Sequence, residues 1–191
     1  SRDGGDTWSV RASTAFSWFG PMGYGAASGE IYVAGRGFDP ITNAELRGVL
    51  VSTDDGETFV QHPAPPNHVR AFASTPGPPA TVYAAGDANI PGGAQLWRSV
   101  DRAASWQPVH AFPHPWIVGV SYGNHLLAIA VDPTDPNRLY AGLALPDHLM
   151  RSVDGGATWT RAAVGLGAGA VTWITVDPAN PAIVYAAQHG S

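Results

Sequence analysis

The chain has no cysteine and no lysine. Without cysteine it forms neither a disulfide nor a thiolate metal site, and a zero count suits secreted and intracellular proteins alike. Without lysine, its ten basic residues are all arginine, and they are scattered rather than run together. A nucleic-acid partner needs a basic patch or stripe, so that class of partner is excluded. The formal net charge of −5 speaks only to solubility. Long apolar runs are missing as well. No stretch approaches the roughly 18 residues of a membrane-crossing helix, so no membrane span is expected in this segment.

Turn formers and aromatics are abundant instead. Glycine contributes 23 and proline 17 of the 191 residues, beside an apolar fraction of 45% and seven tryptophans. A disordered chain has the first feature without the second. Short buried strands joined by tight turns account for both.

An internal repeat organises the chain. Ser1-Arg2-Asp3-Gly4-Gly5-Asp6-Thr7-Trp8 recurs as Ser52-Thr53-Asp54-Asp55-Gly56-Glu57-Thr58-Phe59 and as Ser152-Val153-Asp154-Gly155-Gly156-Ala157-Thr158-Trp159. A degraded copy is Ser99-Val100-Asp101-Arg102-Ala103-Ala104-Ser105-Trp106. The period is about 50 residues. A second motif alternates with the first: Val131-Asp132-Pro133-Thr134-Asp135-Pro136 before Tyr140, matched by Val176-Asp177-Pro178-Ala179-Asn180-Pro181 before Tyr185. Weaker echoes run from Thr75 to Ala84 and from Ser28 to Ala34.

The pair of motifs resembles the Asp-box (BNR) repeat of the sialidase-like, xyloglucanase-like and sortilin-like propellers, over essentially the whole chain. The third copy departs from the pattern, with Arg102 and Ala103 where small or glycine residues are usual, so an irregular turn is expected there. The resemblance implies an all-β fold, a β-propeller of four-stranded antiparallel blades. The residues support it directly. Each Asp-box lies between short apolar runs, and Gly/Asp at such a junction is hairpin chemistry. The aspartate accepts turn N–H groups, glycine takes positive φ, and the aromatic anchors the hairpin. Proline in the second motif belongs at a strand end.

First strands are read at 126–131 and 172–176, second strands at 139–143 and 183–187, third strands at 96–99 and 149–152, with fourth strands led by the Asp-box aromatics. Complete blades are expected at approximately 10–61, 68–110 and 117–164, with partial blades at 1–9 and 171–191. Because the first motif begins at Ser1, the chain reads as a segment of a longer protein. The expectation is an arc of a ring with about six to seven blades or more. Such an arc leaves strand edges and apolar blade faces open.

A turn is needed in every blade and a catalytic acid is not, so the Asp-box residues are assigned to the scaffold: Ser1, Asp3, Gly5, Trp8; Ser52, Asp54, Gly56, Phe59; Ser99, Asp101, Trp106; Ser152, Asp154, Gly156, Trp159. Both motifs fall on one face. The longer, variable segments fall on the other, at 35–47, 60–70, 86–95, 107–125, 143–148 and 164–171. Binding chemistry accumulates in such loops on a rigid scaffold. All seven histidines (His62, His68, His110, His114, His125, His148 and His189) lie on or beside that face. The candidate ligand-binding residues are Asp39, Glu45, Asp87, His114, Trp116, Tyr122, Asp147 and His148. Trp116 and Tyr122 offer an apolar face with a polar edge, as sugar stacking requires. His110 and His114 have a metal-like spacing, but Pro113 and Pro115 oppose a helix and no third ligand follows, so no metal or cofactor is expected.

Glycoside hydrolysis needs two carboxyls at a set separation, which spacing in sequence does not reveal. Sialidase-like enzymes use an arginine cluster for the substrate carboxylate. Arg36, Arg47 and Arg70 lie near the right loops without a whole sialidase signature, and no catalytic residue carries over. The expected function is a propeller, extracellular or periplasmic, that binds polysaccharide or protein through the face opposite the Asp-boxes. The alternatives are a xyloglucanase- or sialidase-like glycoside hydrolase and an assembly protein resembling photosystem-stability propellers.

Overall fold

The computed structural model describes every residue except 2, 11–15, 26–28, 66–67, 76, 78–79, 88–92, 113–124, 145–148 and 190–191. The described residues contain strands and turns and no helix. The first sheet is built from β1 (Trp18–Tyr24), β2 (Ile31–Phe38), β3 (Glu45–Ser52) and β4 (Val60–Pro63). The second is β5 (His68–Ser74), β6 (Val82–Asp87), β7 (Ala94–Ser99) and β8 (Gln107–Phe112). The third is β9 (Leu126–Val131), β10 (Leu139–Leu143), β11 (Leu149–Ser152) and β12 (Thr160–Arg161). A two-stranded sheet of β13 (Ala170–Val176) and β14 (Val184–His189) follows. Within each sheet the strands pair in sequence order and antiparallel, the meander of a propeller blade. The first strands β1, β5, β9 and β13 pack against one another in succession, which puts them innermost.

The core is divided among the gaps between blades. Tyr32, Val49 and Val51 of the first sheet meet Val82 and Ala103 of the second. Tyr83, Leu96 and Phe112 of the second meet Leu126, Leu139 and Leu143 of the third. Ala128, Ala130 and Tyr140 of the third meet Val171, Ile174 and Val176. A middle sheet is therefore covered on both faces, and β6 and β10 are buried at every position. Each fully buried leucine, such as Leu126 or Leu139, contributes about 1.5–3 kcal/mol. The outer flanks are open: Phe19, Met22 and Tyr24 are exposed on β1, and Trp173 and Tyr185 on the last sheet.

The four acidic turns share one hydrogen-bond pattern. In the last copy Ser152 Oγ donates to Asp154 Oδ1 at 2.8 Å and accepts the Gly156 N–H at 2.9 Å. Asp154 Oδ1 accepts the Thr158 N–H at 2.9 Å, and its other oxygen accepts the Thr158 hydroxyl. The turns at Ser1, Ser52 and Ser99 repeat this arrangement. Two successive residues have positive φ in every copy, including Gly155 and Gly156 at 71° and 91°. This corrects the expectation of an irregular third turn. Arg102 and Ala103 adopt the same left-handed pair at 57° and 65°. The Ser99–Asp101 network sets the path, and the fully buried Ala103 with the paired Arg102 compensates for the strain.

The proline motif works alike. Asp132 Oδ1 accepts the N–H groups of Thr134 and Asp135 at 2.8 and 3.2 Å, and Asp177 accepts those of Ala179 and Asn180 at 2.8 and 3.1 Å.

A second correction concerns the opposite face. Segments 35–47, 60–70 and 107–125 are not loops throughout, because ladder pairing continues into them: β2 reaches Phe38, β3 begins at Glu45, β5 begins at His68 and β8 reaches Phe112. The polar side chains of that face therefore stand on strand ends.

Candidate functional site

A cleft of about 220 Å³ opens on that face between the first and second blades. Trp18, Arg36, Arg47, His68 and Arg70 supply its functional side chains. Register explains the first three polar or aromatic positions. Trp18 is the cross-strand partner of Arg36, and Arg36 of Arg47, so the three form one row across β1, β2 and β3. The Arg36 guanidinium lies 5.3 Å from the centroid of the Trp18 ring, a cation–π contact. Phe19 meets the buried Phe16 edge to face at 6.4 Å, and Phe16 fills the space that Gly35 and Gly48 leave without side chains.

A repeated device places Arg70. All four first strands carry a register shift near this face. In β5 the shift lies between Val69 and Ala71, so Arg70 is the extra residue. Bulges of this kind bend a strand and re-aim a side chain. The close approach requires glycine opposite: a Cβ on Gly86 would lie 1.9 Å from the His68 carbonyl oxygen.

Charge at the cleft is organised in two clusters. Glu45 Oε2 pairs with Arg47 Nη2 at 2.7 Å, and its other oxygen lies 3.7 Å from His68 Nε2. The Arg47 bond holds the Glu45 carboxyl below its usual range. Asp87, only 9% exposed, accepts a short bond from Arg70 Nε. His125 Nδ1 lies 2.7 Å from the other oxygen of Asp87 without hydrogen-bond alignment. His125 belongs to the third blade, and the cluster therefore ties two blades together.

Of the candidates named from sequence, Glu45 and Asp87 are at the cleft rim, each already matched to an arginine. Asp39 is not part of it. Its Oδ1 accepts the N–H groups of Thr42 and Ile41 at 2.7 and 2.9 Å, which closes the β2–β3 loop and lowers its pKa. His114, Trp116, Tyr122, Asp147 and His148 lie outside the described residues. Sequence reading missed Trp18. The signal was available, because Trp18 precedes Tyr32 by the same distance as His68 precedes Tyr83, to within a residue. Among the described residues, no three His, Asp or Glu side chains converge as a metal site would require.

The arrangement can stack a sugar ring on Trp18 and hold polar substituents with arginine. It is poorly suited to proton donation by Glu45, since a general acid needs a raised pKa and this one is lowered.

No family model matches the chain. A xyloglucanase from Paenibacillus sp. is 34% identical over 82 residues, 36% of this chain and 8% of that protein. A probable oligoxyloglucan-reducing end-specific xyloglucanase from Neosartorya fischeri is 30% identical over 119 residues, 58% of this chain and 14% of the relative. The matches thus span a small part of those relatives. In three dimensions, a GH74 enzyme from Niastella koreensis superposes with a TM-score of 0.65 at 20% identity, over 87% of this chain and 25% of that one. The GH74 xyloglucanase from Xanthomonas campestris gives 0.61 at 21% identity, over 87% and 26%.

The sheets, their order and these superpositions define a run of β-propeller blades. Within that class, the fold is that of the xyloglucanase-like propellers.

Proposed function

We propose that the chain is a polysaccharide-binding run of blades from a xyloglucanase-like protein, acting outside the cytoplasm. The observation that carries this reading is the cleft itself: Trp18, 64% exposed, offers an aromatic face beside Arg36, Arg47, His68 and Arg70. An exposed aromatic with hydrogen-bond donors at its edge suits a pyranose, which presents an apolar face and a polar rim. The acidic turns serve the scaffold, as Asp-boxes, on the far side.

Isothermal titration with neutral and acidic plant oligosaccharides tests the reading. Binding that weakens at least about tenfold in Trp18→Ala supports it. Absence of binding across both classes, with the fold intact by circular dichroism, overturns it.

A glycoside hydrolase reading draws on the xyloglucanase likeness. It requires two carboxyls free to exchange protons, whereas Glu45 and Asp87 are each committed to an arginine. Reducing-end release from xyloglucan that survives Glu45→Gln and Asp87→Asn assigns any hydrolysis to other residues.

A further inference from the structure

We infer that the cleft selects a saccharide that carries a carboxylate, and that Arg36 makes the selection. This rests on the polysaccharide reading and names the class of sugar.

The chain is acidic overall, at −5, so a cleft lined by three arginines and a histidine reverses the charge locally. Two of the three are matched, Arg47 by Glu45 and Arg70 by Asp87. Arg36 has no carboxylate partner among the described residues, and its guanidinium lies over the Trp18 ring instead. A guanidinium carries its N–H donors in its own plane, in a fork that matches a carboxylate. It can give a carboxylate two parallel hydrogen bonds while the cation–π contact holds it beside the indole.

Register adds an independent argument. Arg36 stands directly opposite Arg47 in the β2–β3 ladder. Like charges in that relation destabilise a sheet. Glu45 relieves Arg47, and no acid relieves Arg36. A bound carboxylate completes the charge balance of the row Trp18–Arg36–Arg47 and brings a sugar ring toward the exposed Trp18. A neutral saccharide would gain the stacking and nothing from the unmatched charge.

The test compares trigalacturonic acid with its methyl ester, which masks the carboxylates on the same rings, and with a neutral xyloglucan oligosaccharide. Titrations are run at about 50 and about 500 mM NaCl. The acid should bind at least about tenfold more tightly than the ester at low salt, and the difference should shrink at high salt. Arg36→Gln should collapse the difference. Arg36→Lys, which keeps the charge without the fork, should restore only part of it. Equal binding of acid and ester, or an acid preference that survives Arg36→Gln, overturns the inference and leaves the polysaccharide reading in place. If none of the three probes binds, the polysaccharide reading falls and this inference falls with it.

Discussion

Arg102 donates through Nε to Oε1 of Glu30 at 2.8 Å and so joins the second blade to the first across 72 residues of sequence. Glu30 is almost fully buried, whereas the arginine is largely exposed. The arginine also occupies a left-handed position where the other copies of the turn have Gly4, Asp55 and Gly155. The substitution that degrades the repeat thus supplies the ion pair between blades.

Arg102→Ala leaves Glu30 buried without its partner and keeps the strained backbone. It should cost about 1–2 kcal/mol in urea unfolding, the lower part of the range for a charged bond because the arginine is solvated. Arg102→Gly loses the same bond and relieves the φ strain, so it should be about 0.5–1 kcal/mol less harmful. Equal midpoints for the two variants would show that the turn carries no strain.

The blades were legible in sequence because their determinants are local. The strand at 126–131 is bounded by Asp132-Pro133, and β11 runs straight into Ser152 and the turn chemistry of Asp154. The cleft was much less legible because its determinants are pairings. Trp18, Arg36 and Arg47 come together through register across three strands. Arg70 reaches the cleft through one extra residue that no composition signals. Asp39 has the residue type of a site acid, yet its neighbours at 41 and 42 consume it as a turn cap. The irregular turn expected at Arg102 failed for a related reason, since its compensation comes from Glu30 in another blade.

Gly86 is the position where the scaffold most directly limits the cleft. A Cβ there meets the His68 carbonyl oxygen at 1.9 Å, and backbone on backbone cannot yield by rotation of a side chain. Gly86→Ala should destabilise the fold by about 1–3 kcal/mol and weaken ligand binding together, because His68 and Arg70 are displaced. Urea unfolding and titration on the same preparation check both. A variant with wild-type stability would mean that β5 can shift freely at its bulge.

The acidic turns give stability a defined pH dependence. Hydrogen bonds from the Thr58, Ser105 and Thr158 hydroxyls and N–H groups hold Asp54, Asp101 and Asp154 down to about 2, against an ordinary value of 3.8. The folded form binds the proton less readily than the unfolded one. Their contribution is therefore complete above pH 3.8 and is lost as pH falls through about 2. Thermal midpoints should drop steeply between pH 4 and pH 2. Asp154→Asn should lower the midpoint at pH 6 and flatten the fall in that window. A variant curve parallel to the wild type down to pH 2 would remove the turn from the acid response.

Asp87→Asn separates the two roles of the Arg70 cluster. The amide keeps the shape of the side chain and removes the charge that faces Arg70 and His125. Stability should fall by about 1 kcal/mol, because a partly buried charged bond becomes a neutral one. Binding responds to a different term. With its counter-charge gone, Arg70 leaves a second unmatched guanidinium on the cleft. One unit charge at about 8 Å in a water-like medium is worth about 0.5 kcal/mol, or about twofold. A carboxylate-bearing saccharide should therefore bind about twofold more tightly to a less stable protein, while its methyl ester binds no better. If Asp87 instead acts on the ligand only by holding Arg70 in place, acid and ester both weaken. The sign of the change for the acid, read by titration beside the urea midpoint, decides between a cleft governed by its charge balance and one governed by the rigidity of its bulge.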